Sequence, residues 1–203
     1  LNKETPYLHG ILHDYLEDLS ARKIVPGGGS ASAMSAALGA GLNLMVINYS
    51  IKEDIGKEED KELIVLKTKQ EASLKKLKAA IDEDCKVFKD LMKTLSAASE
   101  DTRKSYEKAA AVPLEICREC LVSLSVTVSL LDNCNKNLLT DVGCAAYLLE
   151  SAFFAATLNV MVNIKNIESG DFTQNARSEM ERMGRTVNKM TEEVVSRVKT
   201  ALI

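Results

Sequence analysis

Tryptophan is absent from this 203-residue chain and aromatic residues make up only 4% of it. Stacking on nucleobases, which relies on exposed aromatic faces, is therefore poorly supported. A basic excess is missing as well. Lys plus Arg total 26 against 29 Asp plus Glu, a formal net charge of −3, so no nucleic-acid footprint is indicated. Prolines number only 3, which with abundant Ala, Leu, Lys and Glu favours long helices. No run of alternating apolar and polar residues reads as a strand. No internal repeat and no secretory leader is evident. The 5 cysteines are odd in number, and we read them as reduced thiols of a cytoplasmic protein. Cys117 and Cys120 have C-x-x-C spacing, but no second Cys or His pair stands at zinc spacing. His9 and His13 alone make a poor metal site. No metal is expected.

The apolar periodicity predicts a single all-α domain over residues 1–203, a multi-helix up-and-down bundle with long helices. Leu8, Ile11, Leu12, Tyr15, Leu16 and Leu19 mark a first amphipathic helix. A second is predicted over residues 30–51. A charged stretch, 52–62, leads into a third, with the stripe Leu63, Leu66, Gln70, Leu74, Leu77, Ile81, Asp84, Phe88, Leu91, Leu95. The fourth spans about 102–131 and should end or kink at Pro113. Residues 133–137 read as a turn, a fifth helix runs from Thr140–Asp141 to 167, and Gly170 separates it from the last.

Residues 30–51 carry no charge, and 142–164 only Glu150. Both runs are long enough to cross a bilayer. Asn43, Asn48, Asn159, Asn163 and several serines are costly in lipid, however. The runs are read as central helices, enclosed by the others or by a second subunit, with no membrane partner.

Five features carry potential chemistry. Gly27, Gly28 and Gly29 can adopt backbone angles closed to other residues and let a ligand approach the main chain. With Ser30 as N-cap they open a helix whose free N–H groups suit an anion or a carbonyl oxygen. A tight capped turn without ligand explains the same residues. Small residues at i,i+4 (Ser32, Ala36, Ala40; Ser35, Gly39; Ala37, Gly41) predict a close helix crossing. Asp84 stands in an apolar stripe, where burial would raise its pKa into the range of a general acid or base; a solvated position at the stripe's edge is the alternative. Asp141 is either a site residue or a helix-start acid. Asn159 and Asn163, i,i+4 on an apolar helix, either hold a heterocycle or bond a neighbouring helix.

Several of these residues fall in motifs that occur together. Val25-Pro26-Gly27-Gly28-Gly29-Ser30 resembles the opening motif of the cyclodeaminase/cyclohydrolase family, which includes formiminotetrahydrofolate cyclodeaminase and methenyltetrahydrofolate cyclohydrolase. Asp84-Cys85-Lys86-Val87-Phe88 is similar to its Asp-x-x-x-Phe segment, and Ala111-Val112-Pro113-Leu114 to its small-x-Pro-Leu segment. Asn135 to Asp141 resembles its Asn-x-Asn-x-x-Ser-Asp turn, and Leu158-Asn159-Val160-x-x-Asn163 its Leu-Asn-Val-x-x-Asn segment. Ile24, Cys134 and Thr140 depart from the pattern, in the places of Pro, Gly and Ser.

The resemblance implies a helical homodimer with a folate site near the subunit contact. It implies Asp84 as acid/base, with Gly27, Gly28, Gly29, Ser30, Asn137, Asp141, Asn159 and Asn163 as pocket residues. It implies hydrolysis of 5,10-methenyltetrahydrofolate to 10-formyltetrahydrofolate, or else formation of the methenyl compound from 5-formiminotetrahydrofolate with loss of ammonia. No cofactor beyond the tetrahydrofolate substrate is expected. A non-catalytic helical assembly module would explain the small-residue helix but not the carboxylate in the stripe.

Overall fold

The computed structural model describes residues 7–51, 58–97 and 101–203. Among the described residues there are six α-helices and no strand: α1 (Leu12–Ser20), α2 (Gly28–Ser50), α3 (Glu58–Ser96), α4 (Thr102–Asn133), α5 (Leu139–Ile164) and α6 (Asp171–Ala201). Short 3-10 turns, Tyr7–His9 and Lys136–Leu138, precede α1 and α5. The all-α bundle is as the periodicity predicts. Part of the charged stretch, 52–57, lies outside the described residues.

Helices α2 and α4 point one way, and α3 and α5 run antiparallel to them. Asn43 in α2 fixes this register from inside. Its Nδ2 is 3.1 Å from Gln70 Oε1 of α3 and 3.0 Å from both Ser123 O and Thr127 Oγ1 of α4. A buried amide with its partners in place costs little, whereas a slipped register would orphan it, at about 1–3 kcal/mol per unsatisfied group. The small-residue face of α2 makes the expected close crossing, and its partner is α5: a Cβ on Gly39 would lie 2.8 Å from Leu149 Cγ. Arg118 and Glu179 tie α4 to α6 through two 2.8 Å bonds.

Three expectations change. Gly10 interrupts the first helix, and of its apolar residues α1 buries only Tyr15, while Leu12 and Leu16 are 62% and 53% exposed. The fifth helix ends at Ile164, short of 167. Helix α4 does not end at Pro113 but passes through it as one element. Proline has no N–H, so the carbonyl one turn earlier, that of Ala109, loses its intrahelical donor. Asn163 Nδ2 supplies one from α5, 3.1 Å away. Of the two readings of Asn163, the structure displays the helix–helix bond.

This pairing makes a prediction. Asn163→Leu leaves the Ala109 carbonyl without a donor and is expected to destabilise the protein by about 1–3 kcal/mol in urea unfolding. Adding Pro113→Ala restores an N–H to that carbonyl, so the double variant should recover at least half of the loss, a non-additivity that two independent sites would not display.

Candidate functional site

The glycine turn and Asp84 meet at one end of the bundle. The Val25–Pro26 peptide is cis. Gly27 is the N-cap of α2 with an extended backbone (φ −135°, ψ −162°) and no side-chain cap. Ser30 is thus not the N-cap that the sequence suggested; it lies inside the first turn. Nor do the turn's glycines occupy the left-handed region. The constraint at Gly28 and Gly29 is space. A Cβ on Gly29 would fall on the Asp84 carboxylate, and one on Gly28 would lie 3.3 Å from Asn159 Nδ2, whereas Gly27 has nothing within 4 Å. Lack of a side chain lets α3 bring a carboxylate onto the main chain of α2's first turn.

Asp84 stands in the α3 stripe among mostly buried positions. Leu77 and Ile81 before it and Leu91 beyond it are buried, while Phe88, one turn on, is 37% exposed. Burial pushes the Asp84 carboxyl from 3.8 up to about 6, and the backbone N–H of Ser30 pulls in the opposite direction by donating to it. The positive end of the α2 dipole acts in the same sense as that N–H. Desolvation wins. The result is a half-buried carboxyl that both holds and releases a proton near neutral pH.

Two neighbours went unrecognised in the sequence. Tyr15 and Ser30 are both buried, and their hydroxyls are 3.3 Å apart. Cys85, also buried, is in hydrogen-bonding contact with the Ser30 side chain, and burial pushes its thiol up. Tyr15 was legible only as one apolar position of an amphipathic helix, and Cys85 only as a reduced thiol. On the fourth side, Asn159 lies half-buried beside Gly28, with its Nδ2 donating to Ala155 O at 2.9 Å.

Asn137 and Asp141 are elsewhere. Asn135 N–H donates to Ser50 Oγ at 2.8 Å, which places this turn at the far end of α2 from Gly28, roughly 33 Å away at 1.5 Å per residue. Asn137 is exposed, its N–H bonded to Asn135 Oδ1 at 3.1 Å. Asp141 lies in the first turn of α5, whose N-cap is Leu138. Within one chain, then, the structure gathers Gly28, Gly29, Ser30, Asp84 and Asn159, with Asn163 one turn along, and leaves Asn137 and Asp141 apart. All five cysteines are free, with only Cys144 exposed. Among the described residues no group of three or more His, Cys, Asp or Glu could hold a metal ion.

The raised carboxyl has a stability signature. Its folded pKa exceeds the unfolded value, so the folded state holds the proton longer between pH 3.8 and about 6. The stability that this carboxyl contributes is present below pH 4 and is lost as pH rises through 6. Asp84→Asn removes the buried charge and should make the protein more stable at pH 7 by up to about 3 kcal/mol. The gain should vanish at pH 4, as followed by thermal unfolding at the two pH values.

The family model described as "Formiminotransferase-cyclodeaminase" matches residues 11–182. A methenyltetrahydrofolate cyclohydrolase of Methylorubrum extorquens is 26% identical over 93% of this chain and 96% of its own length. A formimidoyltransferase-cyclodeaminase of Sus scrofa is 28% identical over 86% of this chain, which spans only 34% of that longer protein. The crystal structure of formiminotetrahydrofolate cyclodeaminase from Thermotoga maritima superposes with a TM-score of 0.81 at 25% identity, covering 96% of both chains. The chain belongs to the formiminotransferase-cyclodeaminase family.

Proposed function

We propose that this protein is a folate one-carbon enzyme that hydrolyses 5,10-methenyltetrahydrofolate to 10-formyltetrahydrofolate, with Asp84 as the proton carrier. The observation that carries this reading is the Asp84 carboxyl, half-buried against the Gly29 main chain with a pKa near 6. Water adds to the cationic methenyl carbon, and the proton it loses passes to Asp84. As the C–N5 bond breaks, Asp84 gives its proton to N5, and the carbinol hydroxyl releases its proton to solvent while its oxygen becomes the formyl carbonyl on N10. An ionised Asp84 also stabilises the cationic bridge, independently of proton transfer. Gly27, Gly28 and Asn159 supply polar edges for the heterocycle, while the buried Ser30 holds the Asp84 carboxylate through its N–H.

The end-to-end similarity to a cyclohydrolase supports hydrolysis. The equally complete similarity to a cyclodeaminase structure supports the second reading, in which N10 attacks the formimino carbon and ammonia leaves. Both need one group that moves protons beside a held pterin. Supplying each substrate and following the methenyl absorbance and ammonia separates them. With whichever substrate is turned over, kcat/KM should fall as pH drops through about 6, because the proton-accepting form is lost. Asp84→Asn should lower kcat by roughly 100-fold or more with the protein still folded; near-normal turnover would remove Asp84 from this role.

The same reading extends to a homodimer. Helices α2 and α5 pack on each other and turn a common face outward, with Leu38, Tyr49, Tyr147, Phe154, Leu158 and Val162 between 40% and 71% exposed. No charged residue lies among 30–51. Both helices are long and apolar enough to cross a membrane by length and composition alone. The buried Asn43 network and the packing of α2 against α3 and α4 favour a protein face instead, and an apolar surface this broad calls for a partner. A two-fold axis across the helices would set α2 and α5 against their antiparallel copies. Asn137 and Asp141 of the second copy would then come to the Asp84 end of the first. Mixing Asp84→Asn with Asp141→Asn tests this. Inactive alone, the two should together regain about a quarter of the wild-type sites, the share that random two-fold pairing leaves intact. No recovery after verified subunit exchange would mean that the site lies within one chain.

A further inference from the structure

Helix α1 has little reason to stay where it is. Leu12, Leu16 and Ile11 are more than half exposed, and Tyr15 is the only buried residue of the helix. That one anchor does not merely fill space. A phenylalanine would bury the same ring without the cost of desolvating a hydroxyl, about 1–3 kcal/mol unless the hydroxyl is hydrogen-bonded. The Tyr15 hydroxyl lands 3.3 Å from Ser30 Oγ. Ser30 is wholly buried, and its main-chain N–H donates to the Asp84 carboxylate. The same Ser30 side chain contacts Cys85, the residue after Asp84. Three helices therefore converge on one serine.

We infer that Tyr15 is a positioning residue: its hydroxyl holds the Ser30 side chain, and with it the first turn of α2, so that the Ser30 N–H stays aimed at Asp84. This rests on the reading of Asp84 as the proton carrier. Among the described residues, these groups face this point. From α1 there is Tyr15; from α3, Asp82, Cys85 and Lys89; from α5, the neutral Asn159 amide beside Gly28. Asp82 accepts the Leu8 N–H at 3.3 Å, so the segment before α1 is held on the same side of α3. With the tyrosine hydroxyl gone, the first turn of α2 loses its lateral hold and the N–H···carboxylate bond weakens. The ionised form of Asp84 is then less favoured, and its titration moves up.

The experiment follows the Asp84 carboxyl carbon by 13C NMR across pH in the unliganded protein, in wild type, Tyr15→Phe and Ser30→Ala, beside the kcat/KM profile of each. Tyr15→Phe should move the Asp84 midpoint upward by about half a pH unit or more, and the acidic limb of kcat/KM with it. Ser30→Ala, which removes the other end of the contact, should move it the same way and keeps the test available if Tyr15→Phe folds poorly. A purely structural tyrosine would lower the melting temperature and leave the midpoint in place. An unmoved midpoint, or one lowered by water entering the gap, overturns the inference. A raised midpoint with an unchanged kcat/KM profile upholds the positioning role and overturns the catalytic reading of Asp84, so the two fail separately.

Discussion

The contact of the Asp84 carboxylate with the main chain at Gly29 is the constraint on which the site depends. It exists because a Cβ is missing from one helix and a charged group is present on the other. Any larger residue at 29 would displace the Asp84 carboxylate from this contact. The close approach strips water from the carboxyl and raises its pKa, while the Ser30 N–H and the end of the α2 dipole keep the ionised form within reach. The balance of these opposed effects sets the proton affinity near neutrality.

The rest of the bundle holds that contact in place. Asn43 links α2 to α3 and α4 near the middle of the stack, where a slip of one turn would orphan several buried polar groups. Nearer the site, Pro113 and Asn163 act as a pair. The proline frees the Ala109 carbonyl, and an amide from α5 takes it up. This ties α4 to the segment of α5 that carries Asn159. Two segments that look unrelated along the chain, Ala-Val-Pro-Leu and Leu-Asn-Val-x-x-Asn, are thereby two halves of one hydrogen bond.

Helices α2 and α5 differ from the others in being apolar on nearly all sides. Their inner faces build the core, and their outer faces carry Leu38, Tyr147, Phe154 and Leu158, with Glu150 the one charged residue within 30–51 and 142–164. Such a surface is unfavourable in water. The separation of Asn137 and Asp141 from Asp84 by most of a helix length gives the proposed antiparallel pairing a second purpose, since it would reunite residues that one chain holds apart.

Much of this was legible in the sequence. Helix number and order followed from the 3.6-residue period, and small residues at i,i+4 announced a close crossing on α2, though not that α5 would be the partner. Asp84 was visible as a carboxylate in an apolar stripe, because periodicity records which face turns inward. Spacing along a chain does not record which helix faces which. Pattern therefore could not decide between a core and a solvated Asp84, nor between a ligand and a helix–helix role for Asn163. Tyr15 was unreadable as a site residue because its hydroxyl meets Ser30, on another helix. Ser30 in turn looked like a cap because the chain's local chemistry suits one, while tertiary contact started the helix two residues earlier. The residue types came from the sequence, and their meeting at the Gly29 end was decided by packing, since only close contact removes the water that would otherwise hold Asp84 at its ordinary pKa.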